Sequence, residues 1–507
     1  MSDSNQRKLG AVLSYVSIIV STTVQLLYTP FLISKLGQSE YGLFSLINSI
    51  IGYLTVLDLG FGNAIIVYTA KYRAQKKYEE EKKLHGMFKV IFSIIGIIAA
   101  LIGIIIFLNV DNLFGKTMSS AELSKTRIMM LILSFNLFIS FQFSIYSSII
   151  SAYEKFTFQK IMAIVNTVLK PLLMIPLLII GYKAIAMTIV LTIANIVVLA
   201  SNYIFCRNKL DIRIKFSGFD KKIFKVILGY SIWIFLGVIV DKVNWSVDQF
   251  VLGAVVGTVA VSIYSVASTI NQLFINLSTA ISSVLLPKMS KMIVKNASSR
   301  ELTYEFIKVG RIQYYLIFLM CSGLIIFGKQ FINIWVGPKF KDAYYVALIL
   351  IIPVCIPLIQ NLGLSIMQAM NKYKFKSIST AVMSVINVII SIFLAKLYGP
   401  IGSAIGTAIS LVICNIFLIN WYYYKKIKID IKEFWINILL MTIKLLLPIV
   451  ILIPVLIFKH ISELMFLLVI APLYCILYAI NCYILVMNDY EKNLVNKVLK
   501  KLKLKRA

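Results

Sequence analysis

Apolar residues recur along this chain in runs of about twenty, separated by short polar connections. Each run is long enough for one helix to cross roughly 30 Å of hydrocarbon. About fourteen such runs can be counted, from Leu9–Leu36 near the start to Leu464–Met487 near the end. The pattern therefore predicts an all-α polytopic membrane protein with about 14 transmembrane helices.

Two stretches 220 positions apart carry the same stripe of small and polar residues. The spacing of three and four within each stripe places its members on one face of a helix. The stripes are Gly42, Ser45, Ser49, Gly52, Val56, Leu59, Asn63 and Ser262, Ser265, Thr269, Gln272, Asn276, Thr279, Ser283. Such stripes pack helices together or line a wet cavity, and the sequence leaves both open.

The repeat predicts three parts. Residues 1–210 form an N-terminal lobe of six helices, 211–428 form a C-terminal lobe of six, and 429–507 add two helices and a basic tail. Because each lobe has an even number of spans, the two are parallel repeats related by an axis along the membrane normal.

Composition supports a membrane protein, since 60% of residues are apolar and the mean hydropathy is +0.88. The net charge of +30 would suggest nucleic acid, but the positive charge lies in the connections. If the N-terminus is inside, 38 of the 51 Lys and Arg fall on the inner side. This asymmetry predicts cytoplasmic termini and contact with anionic membrane lipids, and it removes nucleic acid as a partner.

The sequence predicts no resident cofactor or metal. The six cysteines lack paired spacing, and two histidines are too few for a histidine metal cluster. The chain also lacks a nucleotide-binding motif, so any transport would be driven by an ion gradient, the membrane potential or substrate supply.

Charged residues inside apolar spans are costly and are candidates for function. Six stand out: Asp58, Lys170, Asp241, Lys242, Asp248 and Lys444. Alternatives stay open for several of them. Asp241 and Lys242 could simply neutralise each other, Asp58 could cap a helix near Gly60, and Lys444 could extend to the membrane surface. Pro171 and Pro176 follow Lys170 and predict a broken helix there.

The stretches LGQSEYGLFSL and LDLGFGNAIIVYTAKYRA, within Leu36–Ala74, resemble bacterial polysaccharide flippases of the O-antigen translocase type. These belong to the multidrug/oligosaccharidyl-lipid/polysaccharide exporter superfamily. The resemblance implies two lobes around a central cavity that opens to each side of the bacterial cytoplasmic membrane in turn. It also implies that the cargo is an undecaprenyl-diphosphate-linked oligosaccharide, and that the two last helices help hold its lipid tail.

This function assigns roles to particular residues. Lys170 and Lys242 would bind the diphosphate, and Asp58, Asp241 and Asp248 would carry a coupling ion, Na+ or H+. The sugar needs amide, hydroxyl and aromatic partners, for which the candidates are Gln25, Tyr28, Asn244, Trp245, Gln272 and Asn276. Other polysaccharide-assembly membrane proteins are expected partners.

Two other functions remain open. A drug or cation antiporter of the same superfamily would need more acid than base in its cavity, and three Asp against two or three Lys does not exclude it. A membrane-embedded polysaccharide polymerase or ligase would need a long outer loop with Arg, His or acidic residues, which the chain lacks. A protein that is not an enzyme is therefore expected.

The charge asymmetry makes the topology testable. Reporter fusions at Gln38, Asn112 and Lys183 should report the outer side, and fusions at Gln75 and Gly218 the cytoplasm. A swapped result at any two of these positions would contradict the predicted orientation.

Overall fold

The structure is a computed structural model that describes residues 3–214, 216, 218–282, 289, 292–293, 295–370, 372–457 and 463–504. It is 90% helical, and the described residues contain no β-strand. A helix pairs its own backbone N–H and C=O groups, and this is needed in a membrane because hydrocarbon offers them no hydrogen-bond partners. The predicted all-α class is confirmed.

The described residues from 3 to 282 form nine α-helices. They are α1 Asp3–Leu54, α2 Phe61–Ala74, α3 Tyr78–Leu108, α4 Val110–Phe114, α5 Ser120–Ala152, α6 Phe156–Ile180, α7 Ala184–Lys209, α8 Lys221–Val255 and α9 Thr258–Ser282. A 3-10 turn, Thr55–Asp58, joins α1 to α2.

The described remainder of the chain continues the pattern. Its α-helices are α10 Ser299–Val336, α11 Lys341–Ile359, α12 Asn361–Ala369, α13 Lys374–Leu411, α14 Asn420–Tyr422, α15 Ile431–Leu445, α16 Leu447–Ile457, α17 Glu463–Met465, α18 Ala471–Asn481 and α19 Asp489–Leu504. Wider π-helical turns continue several of them, at Val412–Ile419, Tyr423–Ile427, Phe466–Ile470 and Cys482–Val486, and a 3-10 turn spans Pro338–Phe340.

Eleven helical stretches of the described chain are long and apolar enough to cross a membrane. Two of them, Val16–Ala74 and Lys374–Ile427, are 59 and 54 residues long. At 1.5 Å per residue each would span about 80–90 Å, so each is too long for one crossing. Both contain a sharp break, and the predicted total of fourteen spans stays a prediction.

The breaks lie at glycines whose backbone other residues rarely adopt. Gly37 has φ 77° and ψ 172°, and Gly399, which precedes Pro400, has φ 58° and ψ −136°. Only glycine enters these regions without a steric cost from Cβ. Gly37 therefore separates two helical segments within α1.

The second predicted span, Tyr41–Ala70, is not one continuous helix as expected. It unwinds at Thr55–Asp58, and Leu59 and Gly60 both take left-handed backbone angles. Asp58 then accepts a hydrogen bond from the backbone N–H of Gly62. A carboxylate at the start of a helix satisfies unpaired N–H groups and the helix dipole, so this contact helps begin α2.

The expected break of the fifth span at its prolines is wrong. Helix α6 continues through Pro171 and Pro176 from Phe156 to Ile180. Each proline removes one backbone hydrogen bond, but packing against α1 and α7 holds the helix on both sides of the missing bonds.

The chain divides into two compact units. Unit 1 comprises residues 1–265 and 384–403, and unit 2 comprises 266–383 and 404–507. This division follows packing and not sequence repeats, so the lobe boundaries predicted from the sequence remain a prediction.

Unit 1 alternates its connections between two ends. The turns at Gly37, Gly181 and Gly257 lie at one end, here named the Gly37 end. The connections 75–77, 153–155 and 210–220 lie at the other, named the basic end. Near the basic end Tyr153 donates to Glu81 (2.8 Å) and stacks on the Arg73 guanidinium. The hydrophobic core of unit 1 is an aromatic-rich cluster that includes Phe61, Phe88 and Phe92.

In unit 2 a buried ion pair fixes the last helix. Arg311 of α10 donates two hydrogen bonds to Glu491 of α19, at 2.8 and 2.9 Å. Burial opposes ionisation of this carboxyl, but bonds from Arg311, the Asn488 backbone and Tyr315 outweigh it and hold the pKa of Glu491 below its usual range. A bidentate pair of this kind fixes orientation as well as position.

Candidate substrate site

A carboxylate closes the Gly37 end of unit 1. Glu122, in the first turn of α5, accepts hydrogen bonds from Ser39 Oγ (2.5 Å) and Thr258 Oγ1 (2.7 Å). Ser39 follows the Gly37 turn, and Thr258 follows the matching turn at Gly257. Glu122 therefore joins the two hairpins that the sequence identifies as repeats.

Other contacts tighten this closure. Thr117 donates to the carbonyl of Gly253 (2.7 Å), and Lys125 pairs with Glu40. A Cβ added to Gly42 would overlap the carbonyl oxygen of Thr258. Only glycine lets the two backbones approach this closely, so the first members of both stripes are in contact.

The stripe of α9 is buried at the Gly37 end and accessible further along. Ser262 and Ser265 are 0% and 5% exposed, whereas Gln272 is exposed and Asn276 is half-buried. Gln272 donates to Asn276 (2.8 Å), so these two predicted sugar ligands form a pair. The polar groups of this stripe therefore become accessible with distance from the Gly37 end.

In unit 1, α1 and α6 pack along one another and place three predicted site residues at a similar level along the two helices. Tyr28 donates to the sulfur of Met174 (2.9 Å). Both helices run towards the Gly37 end, so Lys170, one turn before Met174, is level with Gln25, about one turn before Tyr28. Gln25, Tyr28 and Lys170 are all partly exposed.

The ammonium of Lys242 reaches the stripe of the first hairpin. A Cβ added to Gly52 would lie 3.8 Å from Lys242 Nζ, so the absence of a side chain there leaves room for the cation. No described carboxylate lies within ion-pair distance of Lys242. The side chains of Asp241, Asn244 and Trp245 lie outside the described residues.

Asp248 lies deeper than the other candidates. It is 1% exposed, and its two oxygens accept hydrogen bonds from Tyr264 (2.5 Å) and Ser403 (2.7 Å). The site thus separates a buried acid from partly exposed cations. Asp58, by contrast, has the helix-starting contact described above, while its coupling role stays a prediction.

Unit 2 carries an apolar groove of about 390 Å³. It lies between α9, α10 and the last membrane-spanning stretch, Glu463–Val486. Its lining residues include Phe274, Leu319, Gly323, Phe327, Leu467 and Tyr474. The hydroxyl of Tyr474 forms a hydrogen bond with Ser322 (2.5 Å), which satisfies the one polar group of that side chain. The groove is suited to a hydrocarbon chain.

Sequence reasoning missed Glu122 and Lys89. Glu122 lies at the edge of a predicted loop, and its local signal is a capping box with Ser119, which the structure contains. Lys89 stands at the start of an apolar run and carries no local signal of function, yet it lies well within α3.

The fold that positions these residues is similar to that of transporters of known structure. The chain resembles the lipid II flippase MurJ in an inward closed conformation, with a TM-score of 0.73 at 20% identity, covering 96% of this chain and 99% of that chain. An inward-facing multidrug resistance MATE transporter of the MOP superfamily gives 0.64 at 14% identity, covering 83% and 97%. The protein is a multi-pass membrane protein with the fold of these transporters.

The chain belongs to the polysaccharide biosynthesis protein family, whose profile matches residues 9–293, more than half of the sequence. It is also 25% identical over 405 residues to a Shigella flexneri protein named "Putative O-antigen transporter", across 78% of this chain and 92% of that protein. The family resemblance found in the sequence is confirmed.

Proposed function

We propose that the protein is a flippase that moves an undecaprenyl-diphosphate-linked oligosaccharide from the cytoplasmic to the outer leaflet of the bacterial cytoplasmic membrane. The observation that carries the proposal is a transporter fold whose accessible polar surface offers ammonium groups, at Lys170 and Lys242. The family match and the O-antigen transporter name of one relative support a polysaccharide precursor as cargo.

The diphosphate would bind Lys170 and Lys242. Lys170 lies partly exposed beside α1, and Lys242 lies against Gly52 with no described carboxylate in ion-pair distance. A partly dehydrated ammonium gains much from an anion, because the anion replaces the water that the cation has lost.

The sugar would meet amide and hydroxyl groups of the residues predicted from the sequence. Gln25 and Tyr28 are level with Lys170, and Gln272 and Asn276 form a hydrogen-bonded pair on α9. Such groups exchange hydrogen bonds readily with sugar hydroxyls. Asn244 and Trp245 remain proposed ligands from the sequence alone.

The lipid tail would lie in the apolar groove of unit 2. A chain of isoprene units needs an apolar surface and few polar partners, and the groove of about 390 Å³ has that character. The last membrane helix, one of the two that the sequence treats as an addition to the repeats, contributes part of its wall through Leu467 and Tyr474.

Asp248 is the favoured coupling residue. A membrane acid that is 1% exposed and bound by two hydroxyls can change its charge only with a proton or a bound cation. We propose that protonation or Na+ binding here biases the alternation between inward-open and outward-open states.

The antiporter alternative is less well supported. MATE transporters share the fold at lower TM-scores than MurJ, and the described polar face presents ammonium groups where a cationic drug would need carboxylates. The polymerase or ligase alternative gains nothing from the relatives, whose names describe transporters and flippases. Interaction with other polysaccharide-assembly membrane proteins remains part of the proposal.

The first test removes the two cations. Lys170→Gln and Lys242→Gln should insert and fold normally yet lose about ten- to a hundredfold in affinity for lipid-linked oligosaccharide, since a charge-assisted hydrogen bond contributes about 1.5–3 kcal/mol. Binding to purified protein and surface polysaccharide in cells would be measured together.

Lys341→Gln is the matched control, because Lys341 is exposed and is not among the proposed ligands. It should bind and transport as the wild type does. Unchanged binding and transport in both Lys170→Gln and Lys242→Gln would mean that these cations are structural and that the anion binds elsewhere.

The second test addresses coupling. In proteoliposomes, wild-type transport should accelerate under either an imposed pH gradient or a Na+ gradient, and Asp248→Asn should lose that acceleration because its side chain cannot change charge. Asp211→Asn, at a residue whose side chain is 89% exposed, is the control. Full acceleration retained in Asp248→Asn would exclude Asp248 as the coupling group.

A further inference from the structure

A second cavity lies on unit 1, and none of its lining residues is among the proposed substrate ligands. It is a groove of about 430 Å³ between α3, α5 and α7. Its lining residues are Lys89, Ile139, Phe143, Tyr146, Ile196, Leu199, Ala200 and Tyr203. They occupy the halves of their helices nearer the basic end, and Lys89 is the one charged residue among them.

The contacts of the Lys89 ammonium among the described residues are a backbone carbonyl and aromatic rings. Its ammonium donates to the backbone carbonyl of Gln142 and lies over two rings, 5.0 Å from the centroid of Phe143 and 5.7 Å from that of Tyr146. No carboxylate of the described residues lies within 4.0 Å of it. A carbonyl and ring faces offset part of the desolvation of a cation, but an anion would offset more.

The aromatic residues form one wall of the groove. Tyr203 meets Phe143 and Tyr146 edge to face, at centroid distances of 6.0 and 5.1 Å. The Tyr203 hydroxyl accepts a hydrogen bond from Arg207 (3.0 Å), which is exposed in the last turn of α7. The end of the groove nearest the basic end is therefore polar and cationic.

The other lining residues, such as Ile139, Ile196 and Ala200, are aliphatic. The groove thus combines one cation with an apolar surface along helices that cross the membrane. A ligand that matches both properties has an anionic head and a hydrocarbon chain, and its head must lie near the basic end.

We propose that this groove is a binding site for an anionic phospholipid, with its phosphodiester on Lys89 and an acyl chain along α5 and α7. A phosphodiester carries a single negative charge, which matches the single ammonium of the groove. A diphosphate carries more charge than one lysine balances, so the bound lipid is a component of the membrane and not the cargo. The positive-inside prediction places this lipid in the cytoplasmic leaflet.

The test measures lipid binding to the purified full-length chain by native mass spectrometry. Three probes are added separately: dioleoyl phosphatidylglycerol, dioleoyl phosphatidylcholine and undecaprenyl diphosphate. The wild type should bind phosphatidylglycerol more tightly than phosphatidylcholine, and Lys89→Gln should weaken phosphatidylglycerol binding by about tenfold or more.

Three further variants separate charge, space and folding. Lys89→Arg keeps the charge and should retain most of the binding. Ala200→Phe keeps Lys89 but fills the groove, so it should also lose phosphatidylglycerol. Lys209→Gln removes an exposed cation at the same end of α7 and should bind as the wild type does. Melting temperatures identify any variant that fails to fold.

Equal affinity of the wild type for the two phospholipids would overturn the proposal, as would unchanged phosphatidylglycerol binding in both Lys89→Gln and Ala200→Phe. If undecaprenyl diphosphate binding depends on Lys89 and phosphatidylglycerol binding does not, the groove belongs to the cargo and the proposal is wrong. The assay needs no transport, so its outcome is independent of the flippase assignment.

Discussion

The carboxylate of Glu122 is the interaction on which the arrangement of unit 1 depends. It accepts the hydroxyls of Ser39 and Thr258, each just after a glycine turn, and thereby joins the starts of two helices that are 220 positions apart in the sequence. A carboxylate bridging two donors is stronger than a contact between neutral groups. Beside this bridge, the absence of a side chain at Gly42 lets the two backbones approach closely.

The exposure of the other polar side chains differs with their position relative to this bridge. Ser262 and Ser265 are buried beside the bridge, while Gln272 and Asn276 further along α9 are accessible. In unit 1, Lys170, Gln25 and Tyr28 are partly exposed, and Asp248 is enclosed by hydroxyls. A protein that carries a charged head group across a membrane needs this difference, because its polar surface must be open to one side only. The Gly37 end can open only if the hydrogen bonds of Glu122 to Ser39 and Thr258 break.

The sequence predicted what depends on local pattern. Apolar run lengths predicted the helices, and the spacing of the stripes placed their members on single helix faces, but it left open whether those faces pack together or line a cavity. The prediction from sequence failed where contacts between distant segments determine the local structure. The left-handed pair at Leu59 and Gly60 interrupts an otherwise apolar run, and α6 continues through two prolines because its neighbours hold it. Glu122 and Lys89 were missed because their importance comes from partners on other helices.

Disulfide trapping across the closed end tests the account most directly. The Ser39 and Thr258 hydroxyls are 3.3 Å apart, so cysteines at both positions, in a background without the native cysteines, are well placed to join. If transport requires this end to open, oxidation should crosslink the pair and stop movement of lipid-linked oligosaccharide, and a reductant should restore it. Each single-cysteine variant should be unaffected by oxidation. A fully crosslinked protein that transports at the uncrosslinked rate would contradict the account.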